Sequence, residues 1–350
     1  MGPTLILYAV PFFLFTVLLE SYILYKTHRD YVEAKDSMTS IGLGLGNLGI
    51  GFVTKAITLG ASFYVYNNWK LFDLGQTWPV WVLAFFGEDL TYYWVHRISH
   101  VIRFYWASHM VHHSSPKYNL AAALRQTWTG NLSGGFVFWL WLPLIGVHPF
   151  IVMFFQQTSL LYQYWIHTEL INKMPRWFEY ILNTPSHHRV HHGTDLDYLD
   201  TNYAGVLIIW DRMFGTHTVE DENEACIYGI RSTLNTFNPI WANLHVYVKI
   251  MKEIWFSKDW KDKLYAPFAR TSWTPKSFSL KSHKDNFDPE TAMVIPSLIN
   301  KALKSEDTLS VWGDGSAVRD FIFSKDVARG MMICVEKGYN KPINLGSGEG

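Results

Sequence analysis

Fifteen histidines occur in the 350 residues, and eleven of them fall between 96 and 192. HRISH places His96 and His100 four apart. HMVHH places His109, His112 and His113 at i, i+3, i+4, and HRVHH repeats that pattern with His188, His191 and His192. On a helix, residues three and four apart share a face, so each set aims several imidazoles at one point. A neutral imidazole gives one nitrogen to a metal and its other N–H to a second partner. Eight such ligands exceed the four that a tetrahedral zinc uses, so two metal ions are the economical expectation. His167, in YWIHTE, ends an apolar stretch and is a ninth candidate ligand. His187 points about 100° round a helix from His188. His28, His148, His217, His245 and His283 stand alone and are expected to be ordinary core or surface residues.

Carboxylates accompany the first set. Glu88, Tyr92, His96 and His100 recur every four residues and predict one stripe on one helix, with Asp89 beside it. A carboxylate near a membrane edge is costly unless paired, and orienting a ligand imidazole is its natural use. In NTPSHHRVHHG, Asn183 or Thr184 can cap, Pro185 suits the first helical turn and Gly193 stops the helix. HExxH is absent, because Arg97 stands where that motif's glutamate would act as base. Imidazole sites suit iron, copper or zinc, and affinity order alone does not choose among them.

The elements that must hold these residues are apolar. Aromatic residues make up 17% of the chain, with 16 Trp, and charged residues only 17%, against a usual ~25%. Five stretches approach the ~20 apolar residues that cross a bilayer: 4–25, 41–66, 78–95, 131–147 and 150–166. The first lacks a basic n-region and cleavage site and reads as a retained anchor. The second is rich in glycine at spacings that let backbones approach closely, and its Lys55 should face protein. Pro143, Gly146 and Pro149 make the last two a tight hairpin. The expected fold is thus an all-α integral membrane bundle. Lysines and arginines favour the 26–40 loop over the 67–77 loop, which puts the histidine clusters on the cytoplasmic side of a bacterial inner membrane or endoplasmic reticulum. A net charge of +0 disfavours nucleic acid as a partner. Two distant cysteines, Cys226 and Cys334, exclude a thiolate zinc site. GLGNLG at Gly44–Gly49 lies inside an apolar span and is no dinucleotide loop. Imidazoles where apolar helices meet water suit a reaction on a lipid chain, and an unactivated C–H bond there favours iron and O2 over zinc.

The triple HxxxH, HxxHH, HxxHH pattern over membrane segments resembles the fatty acid hydroxylase and sterol desaturase superfamily. Within it, EDLTYYWVHRISH, WASHMVHHSSPKYNLAAALRQT, LLYQYWIHTELI, NTPSHHRVHHG and NYAGVLIIWDRMFGT are similar to the alkylglycerol monooxygenases, from about 80 to 245 and more loosely over 5–285. The resemblance implies a tetrahydrobiopterin-dependent di-iron enzyme. It would hydroxylate the carbon beside an ether oxygen, using O2 and electrons from the reduced pterin, to release a fatty aldehyde and a glycerol derivative. It implies His96, His100, His109, His112, His113, His188, His191 and His192 as iron ligands, with His167 a further one. Glu88 stands where the family has an acidic residue, and Tyr118, Asn119, Arg125 and Asn202 are candidates for shaping the pocket; with Asp89 beside the stripe, Glu88, Asp89, Asn119 and Arg125 are the expected catalytic residues. Nothing in the spacing identifies a pterin site, and TDLDYLDTNY is less basic than the resemblance would lead one to expect. A hydroxylase or desaturase of sterols, fatty acids or carotenoids, and a non-catalytic metal-binding membrane protein, are the alternatives.

Beyond the site, Trp241, Leu244, Val248, Met251 and Trp255 form a helical stripe, either interfacial or packed on the catalytic part. Seven Lys/Arg against two Asp in 258–284 suit anionic headgroups. From Asp285 the chain resembles part of an NAD-dependent sugar epimerase of the GDP-fucose synthase kind, without a glycine-rich loop or a YxxxK pair of its own. The expected domains are therefore 1–284, hydroxylase-type, and 285–350, a partial and inactive α/β-like piece.

Overall fold

The computed structural model describes residues 5–27, 32–230, 234 and 236–275. The chain divides into two units, Met1–Pro275 and Lys276–Gly350. The second lies outside the described residues, and so does the fold expected of 285–350. Among the described residues the structure is helical, with two isolated β-bridges and no strand.

Helices α1 (Leu5–Thr27) and α2 (Ala34–Trp69) are long and apolar enough to cross a membrane. Many of their apolar side chains point outward: Phe12, Phe15, Leu18 and Phe52 are 59%, 63%, 70% and 80% exposed. GLGNLG sits in the middle of α2, as its apolar setting predicted. Two of its glycines, Gly44 and Gly46, serve packing. A Cβ on Gly44 would lie 2.6 Å from the Leu124 carbonyl, and one on Gly46 would lie 2.5 Å from the Trp128 indole. The partner in this close approach is the loop after α5 (Leu120–Ala123), not another long helix.

Helix α3 (Trp78–Val101) starts in the third apolar stretch and runs unbroken through HRISH. An extended residue, Ile102, separates it from α4 (Arg103–His113), which carries HMVHH and packs back against α3. The fourth apolar stretch is not a regular helix. Gly134, at φ 80°, opens a 3-10 turn over Gly135–Trp139, then α6 covers Trp141–Ile145 and ends at Gly146, φ 104°. Only glycine fits there, because a Cβ would come within 2.1 Å of the Phe72 carbonyl. After it, α7 (Pro149–Trp165) returns to His167, with Ile151 and Val152 packed on Val80, Ala84 and Leu142.

Four short helices and one longer one complete the unit: α8 (Arg176–Ile181), α9 (Pro185–His192), α10 (Ile209–Phe214), the 18-residue α11 (Pro239–Phe256) and α12 (Trp260–Tyr265). The two expectations for the 241–255 stripe resolve in an instructive way. Helix α11 does pack on α4, but through its other side, where Ala242, Asn243, Ile250 and Glu253 are buried. Glu253 pairs with Arg103 at 2.5 Å, while Trp241, Met251 and Trp255 of the stripe remain outside, Trp255 79% exposed.

Candidate metal centre

Nine imidazoles converge in two groups. His96, His100, His109, His113 and His191 form one; His112, His167, His188 and His192 form the other, and within each group the ligating atoms lie within 4.8 Å of one another. Helix α3 supplies two, α4 three and α9 three, so the i, i+3, i+4 spacing splits each HxxHH set between the two groups. All nine positions singled out in the sequence are present. His187 is excluded, turned toward Thr184 and facing His217 edge-on at 5.3 Å.

Backbone carbonyls orient the rings. Nδ1 of His96 donates to Tyr203 O at 2.7 Å, that of His167 to Gln163 O at 2.7 Å, that of His191 to Thr201 O at 2.9 Å, and that of His112 to Arg125 O at 3.3 Å. A carbonyl only accepts, so each of these Nδ1 atoms carries the proton and each Nε2 presents a bare lone pair. Yet the Nε2 atoms of His112 and His167 stand 3.1 Å apart, lone pair against lone pair. Burial holds His112 down to about 4 and pushes His167 well below the usual imidazole range, so protonation does not relieve the repulsion near neutral pH. A cation between them does.

The other distances agree. His96 to His109 is 2.9 Å, His113 to His109 is 3.1 Å and His188 to His167 is 3.0 Å, all between Nε2 atoms. Metal–nitrogen bonds of ~2.0–2.1 Å place cis nitrogens of an octahedron ~3.0 Å apart and those of a tetrahedron ~3.4 Å apart. Among the described residues, Nε2 of His100, His191 and His192 is buried with no hydrogen-bond partner. The donor set therefore fits two divalent ions, with five imidazoles around one position and four around the other.

Local sequence explains how this is held. In α9 Thr184 caps His187 N, Pro185 occupies the first turn and Gly193 ends the helix, and all eight helical residues are buried. Arg189, on its far side, is clamped bidentately by Glu220 and donates to the carbonyls of Thr168, Ile171 and Asn172. The carbonyls for His96 and His191 come from a turn with two left-handed residues, Asp200 (φ 60°) and Asn202 (φ 53°). Asn202 is bound through its side chain to His187 O, Thr218 O and Thr218 N. That strain is sustained by its surroundings and sets two ligands.

The acidic and polar residues picked from the sequence act mostly one layer out. Asp89 accepts from Val206 N, Leu207 N and the Trp210 indole. Asn119 caps α5. Arg125 binds Asp36, Ser40 and Ser114, while its own carbonyl orients His112. Glu88 is buried on α3 one turn before Tyr92. None of these four lines the cavity at the site. Sequence reasoning missed Asp36 and Glu20, two buried carboxylates in the apolar helices. Glu20 accepts from Leu120 N and from Thr168 beside His167. For Glu20 the available signal was its presence inside an apolar stretch where a charge is expensive; Asp36 precedes the 41–66 stretch and carried none.

The cavity holds about 430 Å³ and reaches His109 of one group and His112 and His167 of the other. Val10, Phe13, Leu45, Val95 and Leu160 wall it, with Tyr92, Gln163 and Lys55 among its polar lining. Its wall includes α1 and α2, whose opposite faces are the exposed apolar ones.

Residues 81–216 match the fatty acid hydroxylase family, and residues 275–346 match the NAD dependent epimerase/dehydratase family. The chain is 41% identical over 271 residues to an alkylglycerol monooxygenase of Homo sapiens and 39% identical over 271 residues to that of Danio rerio. Each alignment covers 76% of this chain and 59% of the relative, so the chain spans well under two thirds of those proteins. The C-terminal part is 37% identical over 76 residues to a GDP-L-fucose synthase of Sinorhizobium fredii, covering 20% of this chain and 24% of the relative. No solved structure matches. Both resemblances read from the sequence are borne out by these likenesses.

Proposed function

We propose that this chain is a membrane di-iron monooxygenase that cleaves the O-alkyl ether of alkylglycerols. The observation that carries the reading is the pair of facing Nε2 atoms of His112 and His167, whose rings are tethered to carbonyls through Nδ1, at the end of an apolar cavity walled in part by α1 and α2. The names of the relatives select the ether lipid among possible chains. His96, His100, His109, His113 and His191 would hold one iron and His112, His167, His188 and His192 the other. Bound iron supplies O2 activation strong enough for a C–H bond.

The protein's own contribution is placement. Apolar walls accept the alkyl chain, and a methylene must lie within ~3–3.5 Å of the reacting centre for productive attack. The carbon beside the ether oxygen is the weakest target, because oxygen lone pairs stabilise the radical or cation left there. Hydroxylation gives a hemiacetal that collapses to aldehyde and glycerol derivative. Asp89, Arg125 and Asn119 act as positioning residues through the backbone they bind, and Glu88 completes the buried acidic pair on α3. Tetrahydrobiopterin as electron donor and the cytoplasmic orientation of the histidines in a bacterial inner membrane or endoplasmic reticulum belong to this proposal. So does the assignment of 1–284 to the hydroxylase and 285–350 to an epimerase-like piece without activity of its own.

The test is an assay of the full chain in detergent with alkylglycerol, reduced pterin and O2, following aldehyde release. Activity lost in His112→Ala supports the reading. Iron-loaded protein that consumes O2 with sterol or fatty acid but not with alkylglycerol would move it to the alternative substrates of the same chemistry. Protein that binds metal yet oxidises no lipid would make it a metal-binding membrane protein.

A further inference from the structure

A stacked aromatic file leads away from the second histidine group. The Tyr118 ring lies 5.3 Å from His192 and 5.7 Å from His167, nearly parallel to the latter at 25°. Tyr228 stacks on Tyr118, 4.9 Å away at an interplanar angle of 17°. Tyr118 is 1% exposed and its hydroxyl donates to Ile166 O at 2.9 Å. The Tyr228 hydroxyl donates to the Glu169 carboxylate and contacts the thiol of Cys226, which is only partly buried. None of these side chains lines the cavity, so the proposed reaction does not use them.

We infer that Tyr118, Tyr228 and Cys226 form an escape route that carries oxidising equivalents from the metal centre to the protein surface when no lipid is in position. This rests on the di-iron reading above. A centre strong enough to oxidise a C–H bond also oxidises its own imidazoles if the substrate is absent. Phenols yield an electron only to such strong oxidants, so the file conducts outward and not the low-potential electrons that prime the metals. In the step, one electron passes from Tyr228 through Tyr118 to the oxidised centre, and the Tyr228 phenolic proton moves to Glu169. The resulting phenoxyl takes a hydrogen atom from the Cys226 thiol, Glu169 releases the phenolic proton to solvent, and a soluble thiol gives a hydrogen atom back to the Cys226 thiyl, becoming a thiyl radical that pairs with a second thiol as disulfide and passes its remaining electron to O2.

The experiment treats the full, iron-loaded chain with hydrogen peroxide in the absence of lipid, which supplies the oxidant without depending on ether cleavage. Peptide mass spectrometry and freeze-quench electron paramagnetic resonance are the readouts. Expected are a tyrosyl radical and oxidation concentrated at Cys226 and Tyr228. In Tyr228→Phe that radical should be lost and ligand histidine oxidation should rise several-fold, with the initial iron content unchanged. Histidine oxidation equal in the two proteins, or absence of any tyrosyl signal in the wild type, would overturn the inference. A Cys226→Ser variant that keeps the radical but lengthens its life supports the terminal step, whereas an unchanged lifetime removes Cys226 from the route. Failure of aldehyde release would instead count against the ether-cleaving reading alone.

Discussion

Helices α1 and α9 invert the usual relation between polarity and burial. PSHHRVHH, among the most polar helical sequences in the molecule, is buried at every position, while Phe12, Phe15 and Leu18 in apolar α1 stand mostly exposed. In water both placements would be costly. They become favourable together when lipid takes the place of water around α1 and metal ions satisfy the imidazoles of α9.

Substitutions that damage the polar centre should therefore cost far more than those on the apolar exterior. The largest effect is expected at α9 itself. His188→Ala removes one of only four ligands in its group, so bound iron should fall from two ions per chain toward one and oxygenase turnover by more than ~100-fold, since even outer partners of ligands are worth ~10–100-fold. Iron analysis beside turnover checks this, and full iron occupancy in the variant would contradict the grouping. Next comes Arg189→Ala, which strands Glu220 and three carbonyls. A loss of ~3–5 kcal/mol is expected, read as a lowered denaturation midpoint in detergent.

Gly46→Leu should cost ~1–3 kcal/mol by driving Trp128 off α2, whereas Gly49→Ala, with open space at its Cβ, should leave the melting temperature unmoved. The smallest effect belongs to the exterior. Leu18→Ala, at a residue 70% exposed, should change detergent stability by less than ~0.5 kcal/mol. A loss of core size there would mean that protein, not lipid, covers that face.

Much of the centre was legible because it repeats. HxxxH and HxxHH spacings require only that a segment be helical for the rings to share a side, and the caps of α9 are written in Thr184, Pro185 and Gly193. The irregular fourth stretch was harder to read. Its composition is as apolar as that of α7, and only Gly134, Pro143 and Gly146 reveal that it bends into short turns. Asp89, Asn119 and Arg125 were found, but their work was not, because a side chain's partner across a hundred residues leaves no mark in local spacing. Arg125 illustrates this: its guanidinium answers Asp36 in α2 while its carbonyl orients His112 in α4.

From the sequence alone came the identity of the nine imidazoles, the helices that bear them and the apolar character of the surrounding chain, because periodicity and composition are local properties. Tertiary structure decided how the nine divide, five and four, by sending alternate members of each HxxHH helix to different neighbours. It also decided the tautomers, since the carbonyls of Tyr203, Thr201, Gln163 and Arg125 reach the rings only after folding. Lone pairs can be made to face one another only when distant backbone holds both rings from behind, and that requires the whole packed unit.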